Sequence, residues 1–365
     1  MTSSVPTSKR PVLILGAGVR LARVVDEARE LVERLQVPVA LTWGAADILP
    51  ETSPYRIGTF GTHGTRAANF AVQNADFILS IGARLDTKAT GTPQRNFARG
   101  ARIVMCDVDP YELGKMARLG LVVQPYCEDA KVSLNRDWPL RPSGEWLARC
   151  QDWKRRYPPG PGKAYDVITQ LANSCKPNEI IVCDTGCAVA WMMQAFEFKE
   201  GQRFIHAFNQ TPMGYGLPAA IGAHYAMGKR IVYVAGDGSI MPNLGELATI
   251  AGHNLPIKII LFDNKGHAMC RQTQREWLGG IYPSTSIAGG LRFPNWARLA
   301  LAHGFFVARD MGATLAWDGP AISICEIAED EDVSPKNKFG KPIEEMYPEL
   351  SREELEREMV VELVA

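Results

Sequence analysis

The sequence predicts an α/β protein of two doubly wound parallel-sheet domains, and three observations carry that expectation. Apolar runs of strand length end in glycine turns that open helices, at 11–15 before Gly16-Ala17-Gly18 and at 230–235 before Gly236-Asp237-Gly238. A chain of 365 residues, 46% of them hydrophobic, is long enough for two cores. A stretch rich in proline and glycine, DWPLRPSGEWLARCQDWKRRYPPGPG, separates the two sets of strands. The expected layout is a first domain over 1–136, a linker over 137–162, a second domain over 163–330 and a C-terminal arm over 331–365.

In the first domain, strands are expected at 11–15, 37–42, 77–81 and 103–107, with a helix over 19–35. The opening GAGVR lacks the third glycine of the dinucleotide fingerprint, and no acidic residue ends the next strand. That spacing favours a glycine turn that packs helix on strand over an NAD site. The linker holds one short helix, 144–156. The second domain is expected to start with a helix at 164–175 and to continue through strands at 179–184, 204–208, 230–235, 257–262 and 321–327. Helices follow at 189–196 and 267–278, and Ser239 reads as the N-cap of another that carries Leu244, Leu247, Ala248 and Ile250.

Forty basic and forty acidic residues cancel, so no field recruits nucleic acid or an anionic membrane. The eight cysteines form no CxxC pair, which fits reduced, buried thiols such as Cys106 and Cys183. No apolar run reaches membrane-spanning length, and MTSSVPTSKR has no signal core, so a cytoplasmic enzyme with a natural soluble leader is expected.

The chemistry concentrates at 230–264, RIVYVAGDGSIMPNLGELATIAGHNLPIKIILFDN. If its two strands are parallel neighbours, their carboxyl ends bring Asp237 and Asn264 together. A carboxylate and an amide oxygen beside a helix start suit Mg²⁺ carrying a diphosphate. The plainer reading is a βαβ unit with a Gly-Asp-Gly turn.

GDG, roughly 25 residues and then Asn resembles the thiamine diphosphate motif. The longer stretches PMGYGLPAAIGAHYAMGKRIVYVAGDGS and NLGELATIAGHNLPIKIILFDNKG resemble the diphosphate-binding domain of the acetolactate synthase family. The resemblance implies thiamine diphosphate and Mg²⁺ as cofactors, with Asp237, Asn264 and the Gly266 carbonyl as metal ligands. It places Gly186, Cys187, Ala188, Gly214, Gly236, Gly238, Ser239 and His267 at the cofactor. Where many relatives carry polar Gln and His, this chain has Cys187, Ala188 and Val189, so backbone amides must serve the phosphate there. Met213 aligns with the bulky residue beneath the cofactor, against the alternative of a core methionine. Met269 and Cys270 would shape the pocket, and His267 is either an acid-base group or a solvent-facing histidine. The segment Arg271-Gln272-Thr273-Gln274 resembles an acetolactate-synthase-like subgroup lacking the usual tryptophan.

GTFGTHGTRAANFAVQNADFILSIGARLDTKATG resembles the family's central domain, whose flavin-binding members imply FAD contacts at His63, Gly82, Arg84, Asp86, Asp107 and Asp129. The alternative is a scaffold without flavin, since RLDTK puts Lys88 where relatives have an arginine. No stretch resembles the pyrimidine-binding domain, whose glutamate the chemistry needs. The expectation is one half of a split carboligase, in a heterotetramer with a separate pyrimidine-binding subunit that supplies this catalytic Glu. The enzyme would decarboxylate a 2-oxo acid such as pyruvate and pass the acyl carbanion to an acceptor carbonyl. Rival expectations are a simple 2-oxo acid decarboxylase, a flavin-dependent oxidase, a non-catalytic cofactor-binding subunit, and an artificial truncation or a decayed gene. The acidic arm is expected to be solvated and without catalytic work.

Overall fold

The computed structural model describes residues 8–138, 140–141 and 143–364, so most of the leader and two linker prolines lie outside it. Two compact units result, one ending at Gly160 and resuming at Ser334, the other spanning Pro161–Val333.

Six strands form the large sheet of the first unit: β1 Pro11–Leu15, β2 Val39–Leu41, β3 Arg56–Thr59, β4 Phe77–Ile81, β5 Arg102–Asp107 and β6 Val123–Cys127, and a short antiparallel pair, Lys336–Asn337 with Met346–Tyr347, lies in its C-terminal part. Their order is β3-β2-β1-β4-β5-β6, with every pairing parallel. Alternation explains why helices must cover both faces. Leu13, Leu15, Leu79 and Ile81 join one buried cluster, while Val12, Ile14, Ile78 and Ile103 join another.

The GAG turn does pack helix on strand. A Cβ at Gly16 would lie 2.1 Å from the Gly82 carbonyl oxygen, and one at Gly18 would lie 2.7 Å from Gly82 Cα. The helix expected over 19–35 is broken into Ala17–Leu21 and Val25–Leu35 by Arg23, whose φ of 60° ends the first turn. Apolar spacing does not register such a one-residue break.

The linker and arm differ from expectation. The helix Gly144–Arg156 forms as predicted, but Trp146, Cys150 and Trp153 enter the first unit's core, and Trp146 Nε1 donates to the Pro11 carbonyl at 3.1 Å. Nor is the arm wholly solvated. Ile343, Leu355 and Met359 pack into the same cluster, and Asn69 Nδ2 donates to the Ile343 carbonyl at 2.8 Å. Arg156 grips the buried Glu358 carboxylate with two bonds of 2.8 and 2.9 Å, and Trp153 Nε1 adds a third at 2.8 Å.

These donors hold the Glu358 carboxyl down to about 2, the Arg156 bonds most of all. Its folded pKa lies below the unfolded value of about 4.3, so its stabilisation is present above that value and fades as pH falls towards 2. Glu358→Gln should cost about 1–3 kcal/mol near neutrality, and progressively less as the pH drops through that window. Urea titrations of both proteins at several pH values check this.

The second unit carries β7 Ile180–Cys183, β8 Arg203–Ile205, β9 Ile231–Gly236, β10 Ile257–Asp263, β11 Phe306–Ala308 and β12 Ala321–Glu326. The order β11-β12-β10-β9-β7-β8 is again parallel throughout. From β7 the chain first moves outward to β8, then returns to the other side of β7 as β9. The strand order therefore reverses between β7 and β9. A crevice at the carboxyl ends of strands flanking such a reversal is where open α/β sheets take ligands.

No helix among the described residues is long and apolar enough to cross a membrane.

Candidate active site

The ends of β9 and β10 are in register, with Phe262 opposite Gly236, so the residues that follow them meet. Asp237 is buried, and its carboxylate accepts from the N–H groups of Gly238 at 2.6 Å and Gly266 at 3.2 Å. Among the described residues no cationic side chain pairs with it. The end of the Asn264 side chain lies 2.8 Å from the Gly266 carbonyl oxygen and 3.2 Å from Asp237 Oδ1. With its nitrogen there, the amide donates to both. With its oxygen there, three oxygens converge with no proton between them.

Oxygens on adjacent octahedral corners about 2.1 Å from Mg²⁺ lie about 3 Å apart, which matches these spacings. Burial first, and then the Asp263 carboxylate beside it, raise the Asp237 pKa. A divalent cation relieves both, so this donor set fits Mg²⁺. No group of three His, Cys, Asp or Glu side chains gathers anywhere among the described residues, so the oxygens here come from one carboxylate, one amide and one main-chain carbonyl.

Ser239 does not cap the helix as expected. The helical turn Asp237–Ile240 starts two residues earlier, and the Ser239 hydroxyl reaches back to the Gly236 N–H at 3.1 Å. The helix expected to run on through Ile250 is interrupted at Met241–Asn243 and resumes at Glu246–Gly252. Of the two motif glycines, Gly238 is the one space requires, since a Cβ there would sit 2.3 Å from His267 Nδ1. The His267 ring is thus half-buried over the Gly-Asp-Gly turn rather than facing solvent. Burial, and then Arg271, lower its pKa and keep it neutral near pH 7.

At the end of β7, Gly186 has φ 93° and starts the helix Cys187–Ala195, which buries Cys187 and Ala188. Asp184, fully buried one residue past β7, organises this edge. Its carboxylate accepts from the N–H groups of Thr185 at 2.8 Å, Gly214 at 3.1 Å and Gly216 at 3.1 Å, and from the Tyr233 hydroxyl at 2.9 Å. From the other side Asn243 Nδ2 donates to the Gly214 carbonyl at 2.6 Å. The segment is thereby fixed, while the Met213 side chain stays 43% exposed and so is not a core methionine. Met269 is half-buried and Cys270 exposed in the helix Ala268–Trp277. Sequence reasoning placed Asp184 only at a strand end. Its signal was an acid closing an apolar run just before a glycine turn.

The six FAD candidates lie at the corresponding edge of the first sheet and have local tasks. Asp86 and Asp129 cap helices, Gly82 packs on Gly18, Arg84 pairs with Glu112 at 2.8 Å, and Asp107 accepts from the Asp109 N–H. Half-buried His63 is the exception. Its Nε2 has no hydrogen-bond partner among the described residues, and burial drives its pKa down to about 3.

A doubly wound sheet whose strand tips gather three oxygens, joined in one chain to a second doubly wound domain, places the chain among the α/β proteins built to take a ligand at the carboxyl ends of their strands. The model of the thiamine pyrophosphate enzyme central domain matches residues 3–135, and that of the C-terminal TPP binding domain matches 184–316. The chain carries the central and C-terminal domains of the thiamine pyrophosphate enzymes. It is 33% identical over 370 residues to the acetolactate synthase large subunit of Parasynechococcus marenigrum, covering 94% of this chain and 59% of that one. To the acetolactate synthase isozyme 2 large subunit of Escherichia coli it is 31% identical, covering 94% of this chain and 64% of that one. The chain thus spans about three fifths of the length of these curated relatives.

Proposed function

We propose that this chain is the diphosphate-binding component of a split, thiamine diphosphate-dependent carboligase of the acetolactate synthase kind. It would decarboxylate a 2-oxo acid such as pyruvate and deliver the acyl carbanion to an acceptor carbonyl. The observation that carries this reading is the meeting of Asp237, Asn264 and the Gly266 carbonyl at the ends of β9 and β10.

In this reading those three oxygens hold Mg²⁺. The N–H groups of Cys187, Ala188 and Ser239 would receive the diphosphate, and the glycines at 186, 214, 236 and 238 leave room for it to approach the backbone. Thiamine diphosphate, when bound, supplies the nucleophilic carbon and the electron sink. Met213 supports the cofactor from below, and Met269 and Cys270 bound the substrate pocket. His267, neutral near pH 7, offers a hydrogen bond without adding a charge beside the cation.

In this proposal the catalytic glutamate comes from a separate pyrimidine-binding subunit. Together they would form a heterotetramer. One observation favours a flavin in the first unit, the orphaned His63 Nε2, and yellow colour in the purified protein would check it.

The test is reconstitution with a lone pyrimidine-binding subunit, thiamine diphosphate, Mg²⁺ and carbon-labelled pyruvate. Labelled carbon dioxide together with a labelled carboligation product is expected. Labelled carbon dioxide with a free aldehyde would make it a decarboxylase, and no turnover in the reunited assembly would leave a non-catalytic subunit.

A further inference from the structure

Behind the three converging oxygens sits a buried guanidinium that the reading above leaves without a task. Arg271 is 5% exposed, and its nearest carboxylate oxygen, on exposed Glu329, is 4.0 Å away. It spends its protons on main-chain carbonyls instead. Nη2 donates to Asn264 O at 3.1 Å and to Glu329 O, and Nη1 donates to Lys265 O at 3.4 Å. A buried arginine that serves carbonyls rather than an acid is held there for geometry, because a matched carboxylate would satisfy the charge better.

The loop it grips needs holding. For the Gly266 carbonyl to face the cation, the two preceding carbonyls must turn away. The chain achieves this with Lys265 at φ 57°, a left-handed conformation that is strained for a non-glycine residue. The turned-away carbonyls are the ones the guanidinium fork collects. The loop wraps it so closely that a Cβ at Gly266 would lie 2.3 Å from Nη1 and 2.5 Å from the Thr285 carbonyl. Glycine is therefore required at the third ligand because of what lies behind it.

The guanidinium is anchored in turn. Gln272 exchanges two hydrogen bonds of 3.3 Å with the Val333 backbone, and Asp332 O accepts from Trp191 Nε1 at 3.1 Å. The run 329–333 is thus pinned through Asp332 and Val333, while Glu329, whose main-chain carbonyl Arg271 holds, keeps its side chain in solvent.

We propose that Arg271 is the positioning residue of the cation site: it presets the Asn264–Gly266 loop so that Asn264 and the Gly266 carbonyl face the metal before it arrives. The proposal rests on the metal reading above. Outer-shell partners that orient metal ligands typically change affinity by about 10–100-fold when removed.

The test is Mn²⁺ binding to the full chain, followed by electron paramagnetic resonance with inorganic pyrophosphate present, alongside thermal unfolding of the metal-free proteins. Arg271→Met should bind Mn²⁺ about 10–100-fold more weakly. Arg271→Lys should fall between it and wild type, because a point charge cannot span two carbonyls. A folded Arg271→Met chain that binds Mn²⁺ within twofold of wild type overturns the proposal. If that variant does not fold, Arg271→Lys decides by the same criterion. A wild-type chain that takes up no Mn²⁺ overturns the metal reading as well, so the two failures are distinguishable.

Discussion

Asp237→Ala should abolish uptake of Mg²⁺ and thiamine diphosphate while leaving the metal-free fold nearly as stable as before. The two halves of that expectation have one cause. Without a cation, the Asp237 carboxylate is a buried charge crowded by Asp263 and relieved by two backbone N–H groups. Deleting it removes two hydrogen bonds of about 1 kcal/mol each, and also removes the desolvation and repulsion that raise its pKa. Binding loses its only charged ligand, so affinity should fall beyond the about 100-fold upper figure for an outer-shell partner. Calorimetry with Mg²⁺ and thiamine diphosphate gives the first quantity, and thermal unfolding without metal the second. A variant that binds like wild type would exclude Asp237 as a ligand. One that loses binding only by unfolding would make the residue a structural acid.

Asp184→Ala should have the opposite signature, a loss of stability in the second unit of about 3–5 kcal/mol. Four donors converge on this one carboxylate, and alanine leaves three backbone N–H groups and the Tyr233 hydroxyl without their acceptor in a dry interior. Burial raises the Asp184 pKa while the donors lower it, as expected of a charge kept in place by hydrogen bonds alone. Tyr233→Phe removes one donor and should cost about 1 kcal/mol. Urea unfolding of the three proteins tests the ranking. An Asp184→Ala midpoint equal to wild type would mean that water replaces the carboxylate, and that Gly214 and Gly216 are positioned by something else.

The strands the sequence missed show what periodicity can and cannot carry. β3, β6 and β11 are all edge strands. β3 contains Gly58, β6 contains Pro125, and all three residues of β11 are only half-buried. An edge strand needs no continuous apolar run, so nothing in its residues separates it from a loop. The central strands bury both faces, which forces the β-branched runs at 11–15, 230–235 and 257–262 into view.

The site divides in the same way. Asp237 and Asn264 were legible because each follows directly on a strand that announces itself, and a parallel crossover carries the two strand ends to the same edge. Arg271 stood in a recognised segment, RQTQ, yet nothing local said that it faces inward to the Asn264 and Lys265 carbonyls. The helix of the linker was legible as a helix. Its membership of the first unit's core was not.

By itself, then, the sequence determined two parallel α/β sheets and the strand tips at which Asp237 and Asn264 meet, because strand burial and turn chemistry are written in neighbouring residues. Only the tertiary structure decided what stands behind those tips. Tyr233 finds Asp184 across 49 residues, Arg271 finds the Glu329 carbonyl across 58, and Arg156 finds Glu358 across 202. Pairings at such separations are selected by which buried charges and carbonyls are left unsatisfied once the sheets have closed, and no local pattern in the chain encodes that remainder.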